Sequence, residues 1–363
     1  MTAGLDQAVA LCDALGDIFC LTFVRGVEPR EALRRFGAYP DTFTELDGAA
    51  MYERYSSFAD GYPTMAGAIA HGDWAVVLEP WGFEGTGSLL EPVSAGTEAV
   101  AALRHDYASP RFAYAVDRVE IAAFDPEWTG QTWGADPDRL LEARRAVGLE
   151  PIGPEDDGPD EAVARAVLLA ATIAGGLPPV ERLTAPMLAA QIEPWFTAAR
   201  PAGGHVYFDP AALSRPGQNA LAAAVDAATP AAKRAVAVAE ARRIAGLLDV
   251  AGTPGLAEIL ADAEAGRYPG ISLDTPLGRA ARQWRRLADL AHYSLNDHYG
   301  RRAMTDAERR RGYLFGWFTG VLRGALYPEP DWAVRTALYA LSSGPAPLND
   351  PAAHAEVLAR LRR

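Results

Sequence analysis

A chain of 363 residues, 49% apolar and 22% charged, is long enough for two globular domains and too rich in core-forming residues for wholesale disorder. Its net charge of −13 argues against a chain that coats nucleic acid or anionic membrane along its whole length. The single lysine, Lys233, lies in TPAAKRAVAVAEARR, without the glycine-rich loop or strand that phosphate-loop, Schiff-base or kinase chemistry needs, so those enzyme classes are largely excluded.

From the N-terminus, Leu5, Ala8, Leu11, Cys12 and Leu15 follow helical spacing, and Gly16 ends the run. The opening MTAGLDQAVALCDALGD carries acids and no basic segment, unlike a secretory signal. IFCLTFVRG (18–26) is β-branched and aromatic and reads as a strand. VEPREALRRFGA places Pro29 at a helix start and Gly37 at its end. Beyond a tyrosine-rich stretch, strands are expected at 73–80, 97–105, 111–117 and 118–126, and their short connections favour antiparallel pairing. ADPDRLLEARRAVG (135–148) reads as a helix capped by Asp136 with Pro137 at its first position. PIGPEDDGPD is a linker by composition, EAVARAVLLAATIAGG a compact apolar helix, and RPAGGHVYFDP (200–210) a short strand at a domain boundary.

From about Asn219 the pattern is helical, broken at TP, GTPG, RYPG, DTPLG and YPEP, and predicts six or seven helices. The expected architecture is therefore α+β: an antiparallel sheet flanked by helices over residues 1–200, then an all-α domain over 205–363. The surfaces differ in sign. Up to Gly204 there are 14 arginines against 31 acids, and from His205 onward 20 basic residues against 16 acids. An acidic first domain and a mildly basic second follow.

The ordered segments CLTFVRGVEPREALRRFGA, WAVVLEPWGFEGT, SAGTEAVAAL, RFAYAVDRVEIAAFDPEW, WGADPDRLLEARRAVGL and LLAATIAGGLPPVERLTAPML together resemble an actinobacterial family of uncharacterised proteins, a domain of unknown function. The resemblance spans roughly residues 10–195. It implies a bacterial protein and carries no catalytic residues across. The excess of arginine and alanine fits a GC-rich genome.

No pattern of catalytic residues emerges. Cys12 and Cys20 form neither a C-x-x-C pair nor a disulfide framework, which fits a reducing cytoplasm. LEPWGFEGTGSLLEP has Gly82, Gly85 and Gly87 after a strand, but Pro92 cuts short any following helix, so it reads as a structural turn and not a phosphate cradle. The histidines match no metal-ligand spacing: His292 and His298, six apart, fall about 120° apart on a helix. Ser272 and Ser94 each lack one glycine of a hydrolase elbow. No catalytic residue, cofactor or metal is expected.

Two features of the second half stand out. On the helix expected at 277–295, Leu277, Trp284, Leu287, Ala288, Ala291 and Leu295 share one side, and Arg279, Arg282, Arg285 and Arg286 the other. That arginine face is either a solvated surface or a site for an anionic partner. In RRRGYLFGWFTGVLRGALYPEP, Gly312, Gly316, Gly320 and Gly324 recur every fourth residue. The apolar run is too short for a membrane span of about 20 residues and contains Arg323. Its glycines are expected to admit close packing of a central helix against a neighbour.

The function expected is that of a non-catalytic cytoplasmic binding or regulatory protein acting through a protein partner, with a defence- or toxin-associated role in keeping with its acidic domain. Nucleic-acid or phospholigand binding through the arginine face is the alternative, and membrane association is not expected. An enzyme assembled from His105, Asp106, Asp125 and His205 is the third reading.

Overall fold

The computed structural model describes residues 2–153, 158–197, 219–268, 270–294 and 304–362. The chain divides into two compact units, Met1–Ala199 and Arg200–Arg363. The first unit contains α1 (Thr2–Leu15), β1 (Ile18–Arg25), α2 (Pro29–Arg35), β2 (Thr44–Leu46), α3 (Gly48–Tyr55), β3 (Met65–His71) and β4 (Trp74–Pro80). It continues through α4 (Leu90–Val93), β5 (Glu98–His105), β6 (Arg111–Val116), β7 (Val119–Phe124) and β8 (Thr132–Trp133). It ends with α5 (Leu141–Ala146), α6 (Ala162–Ile173), α7 (Val180–Thr184) and β9 (Met187–Gln191). The strands form one antiparallel sheet in the order β2-β9-β3-β4-β1-β5-β6-β7-β8.

Both faces of the sheet are buried, and they differ in composition. Phe19, Leu21, Phe23, Val76, Leu78, Val100, Phe112 and Phe124 point one way and pack with apolar residues of α1 and α6. The opposite face is built from small residues: Ala66, Ala68, Ala75, Ala99, Ala101, Ala113, Ala115 and Ala123, with Cys20, Val24 and Val77. Short side chains let α2, through Leu33 and Phe36, and α4, through Leu90 and Val93, lie close to this second face. Cys12 and Cys20 are both buried free thiols, one in each layer of core.

One expected helix is shorter than its sequence suggests. Residues 135–148 were expected to be helical from Asp136, but α5 begins at Leu141. Ala135 and Asp136 instead donate their amides to the carbonyls of Glu120 and Ile121, extending the edge pairing of β8 along β7. Those bonds tie the proposed cap to β7, and the helix starts only after a further turn at 137–140. β3 and β9 were not foreseen. MAGAIAH and MLAAQ are poor in β-branched residues, and only their position between paired neighbours makes them strands.

The second unit contains α8 (Asn219–Ala227), α9 (Pro230–Leu247), α10 (Leu256–Glu264), α11 (Pro276–Tyr293), α12 (Asp306–Ala325), α13 (Pro330–Ser343) and α14 (Pro351–Leu361). The break motifs TP, DTPLG and YPEP locate the starts of α9, α11 and α13, whereas the start of α14 at Pro351 was not foreseen. Thr229 and Thr275 cap α9 and α11, Asp350 caps α14, and each is followed by proline at the first helical position. Thr305 and Glu308 form a reciprocal capping box at α12. Lys233 is buried on α9 and pairs with Asp331 at 2.7 Å. No helix among the described residues is long and apolar enough to cross a membrane.

α12 packs against α11, α13 and α9. Its bulky side is internal: Phe315, Phe318, Val321 and Leu322 are buried, and Trp284 of α11 meets Phe318 edge-on at 5.1 Å. The glycines behave differently from one another. A Cβ at Gly312 would overlap the carbonyl of Leu287 on α11, and one at Gly324 would lie 2.8 Å from Thr336 Cβ on α13. At Gly316 it would approach Ala288 Cβ at 3.3 Å, and at Gly320 it would meet nothing within 4 Å.

Candidate functional site

The penultimate residue of β4, Glu79, is completely buried in the sheet. Glu79 belongs to the alanine-rich face, directly opposite Cys20 on β1. Beyond Pro80 the chain must reverse to cross this face. Trp81 makes the reversal with φ of +64°, its amide bonded to the carbonyl of Ile18 at 3.1 Å, and Gly82 closes the turn onto the carbonyl of Glu79. A left-handed backbone at a bulky residue costs of order 1 kcal/mol and persists only where its surroundings enforce it.

The Glu79 carboxyl anchors the loop that follows. Its Oε1 accepts the amide of Gly85 at 2.8 Å and its Oε2 the amide of Glu84 at 3.1 Å, pinning the short 3-10 turn Glu84–Thr86 onto the sheet. Gly85 is obligatory there, because a Cβ would overlap the hydroxyl of Thr22. Burial pushes the Glu79 carboxyl up from 4.5 to about 8, the charge of Glu84 adds to this, and the two backbone donors pull the other way. Burial also raises the Cys20 thiol, so it is no nucleophile.

What this support presents to solvent is aromatic. Trp81 is 43% exposed and Phe83 51%, while Tyr52 of α3, 46% exposed, stacks obliquely on Trp81 with centroids 5.3 Å apart. Tyr55 continues the group, 6.3 Å from Tyr52. Single exposed aromatics are ordinary, whereas here Tyr52, Tyr55 and Trp81 are linked by ring contacts. The glycine-rich segment was read from sequence as a turn, which left these rings unnoticed. Three aromatic positions, Tyr52, Trp81 and Phe83, on polar or glycine-rich segments were the available signal.

The residues considered for catalysis are placed elsewhere. His105 and Asp106 sit at the end of β5, where Asp106 forms a two-pronged pair with Arg104 at 2.9 and 3.1 Å. A groove of about 560 Å³ beside them is lined by Asp13, Arg104, Asp106, Glu127, Trp128 and Glu161. Asp125 accepts the Glu127 amide at 2.9 Å, and burial raises both carboxyls, Asp125 adding to the rise at Glu127. Cys12 also lines this groove, and burial pushes its thiol up to about 12. His205 and His298 lie outside the described residues. Among the described residues no group of three or more His, Cys, Asp or Glu could hold a metal ion.

On α11, Arg279 is exposed and bonds the carbonyl of Asp274 at 2.7 Å, Arg286 is exposed, Arg282 is half-buried, and Arg285 lies 3.7 Å from Asp289. Leu277, Trp284, Ala288 and Ala291 are buried on the other side, and Leu287 is half-buried.

Fold and loop together define an α+β domain, a nine-stranded antiparallel sheet carrying an aromatic loop on a buried carboxyl pin. The model of a family of unknown function, DUF6461, matches residues 10–192, half of the chain, and the chain belongs to that family. The matched residues run from within α1 through β9 and include Glu79, Trp81 and Phe83. No curated protein and no solved structure matches the chain.

Proposed function

We propose that the chain is a non-catalytic cytoplasmic binding protein whose N-terminal unit captures a protein partner on the Tyr52–Trp81–Phe83 surface. The carrying observation is Trp81, 43% exposed and stacked at 5.3 Å on the equally exposed Tyr52, at the start of a loop anchored by the buried Glu79 carboxyl. Tyrosine and tryptophan on a fixed support supply large contact area with little loss of side-chain freedom. The acid excess of this half favours a partner with a basic face around an apolar anchor. A regulatory task, including neutralisation of a basic toxin, would use such a surface.

The test compares capture from lysate by the full chain and by Trp81→Ala. A basic protein retained at physiological salt by the first and lost by the second supports the reading. Recovery of no partner, or equal recovery by both, refutes it. Nucleic-acid binding through Arg279, Arg282, Arg285 and Arg286 is the alternative, and it predicts retarded DNA or RNA at low salt with steep loss as salt rises.

A further inference from the structure

The glycine spacing of α12 has two separate consequences. Gly312 and Gly324 lie at close contacts with α11 and α13, which offset the roughly 1 kcal/mol that each interior glycine costs relative to alanine. Gly320 has no such offset, since a side chain there would enter open space. The helix is thus drawn against one neighbour near its start and another near its end, and between these contacts Gly316 still lies near Ala288 while Gly320 is uncovered. There a groove of about 410 Å³ opens, floored by Gly316 and Gly320.

We propose that this groove binds a small planar aromatic molecule bearing one anionic group. Its lining is apolar and aromatic, with Tyr313 and Trp317 from α12 and Tyr339 from α13, and the Trp317 and Tyr339 rings are 5.3 Å apart. A bare glycine floor admits a flat ring where any larger residue would fill the space. The charged groups and the imidazole, Arg285, Asp289 and His292, all come from α11. The hydroxyl of Thr336, which also lines the groove, has no hydrogen-bond partner. A mostly apolar cleft with a few convergent polar groups is the usual form of a small-molecule site, and such sites run from about 300 to 1,000 Å³.

Size and charge select the occupant. A docked helix about 10 Å across and three turns long would occupy about 1,200 Å³, well beyond this groove. α11 itself carries four arginines against one acid, Asp289, so the field at its wall favours an anion over a cation. The site is independent of the aromatic loop in the first unit.

The probe is 1-anilinonaphthalene-8-sulfonate, titrated into the full folded chain and followed by its fluorescence. Gly320→Leu fills the groove while projecting into open space, so it should fold, with a thermal midpoint at or above that of the wild type. The expected result is one saturable site, weakened about tenfold or more by Gly320→Leu. Arg285→Gln should weaken the sulfonate several-fold and leave the uncharged N-phenyl-1-naphthylamine unchanged. Absence of saturable binding, or equal binding by Gly320→Leu, overturns the proposal. A lowered midpoint in Gly320→Leu also overturns it, because the glycine would then serve packing. Equal loss of both probes in Arg285→Gln overturns the assignment of the anionic group.

Discussion

Gly85 and Thr22 meet where the 3-10 turn touches the sheet, and the threonine hydroxyl occupies the space a side chain at Gly85 would need. The loop can approach the sheet this closely because its contact residue has no side chain and the surrounding face is largely alanine. Gly85→Ala should therefore lose about 1–3 kcal/mol in urea unfolding. Adding Thr22→Ala should recover part of that loss, the remainder reflecting Glu79 Oε1 at 2.8 Å and Cys20 Sγ at 3.1 Å from the new Cβ. Additive single effects would show that the two residues do not collide.

The buried carboxyl makes stability depend on pH in a defined direction. Glu79 binds its proton more tightly in the folded chain, at about 8, than at its ordinary 4.5. Its contribution is fully present below 4.5 and is lost as pH rises toward 8. Glu79→Gln removes this titration, so the wild-type minus variant difference in urea midpoint should fall between pH 5 and pH 8.5. A difference that rises over that range would mean that the carboxylate is the favoured form.

Trp81 separates stability from binding. Trp81→Gly relieves the left-handed backbone and should hold thermal stability level or raise it by up to about 1 kcal/mol. The same substitution should abolish capture of the partner. A large fall in melting temperature would show that the ring supports the fold.

Gly312 and Gly320, eight residues apart on α12, should respond oppositely to alanine. Gly312→Ala forces α11 away and should destabilise by about 1–3 kcal/mol. Gly320→Ala should stabilise by up to about 1 kcal/mol through helix propensity alone. Thermal unfolding of the two variants side by side distinguishes these effects, and equal destabilisation would contradict the geometry at Gly320.

Much of this architecture was legible in the sequence because the signals were local. The breaks TP, DTPLG and YPEP marked three helix starts of the second unit, and β-branched runs marked β1 and β4. β3 and β9 were not legible, since alanine and glycine become strand only between paired neighbours. Asp136 looked like a helix cap, yet long-range bonds to β7 claimed that backbone first. The aromatic surface escaped for a similar reason: Tyr52 and Trp81 are 29 positions apart in sequence, and only folding stacks them. Nor could spacing alone separate Gly312 from Gly320, because the neighbours that distinguish them lie on other helices.

The sealing of both thiols has a practical use. Burial keeps Cys12 protonated, with its thiol pushed up to about 12, and drives Cys20 well above its ordinary value, so neither should react with a maleimide while the chain is folded. A cysteine introduced at Phe83 or Gly320 would then be the single reactive handle in an otherwise native molecule. A fluorophore or spin label at either position would report occupancy of one surface without prior removal of natural thiols.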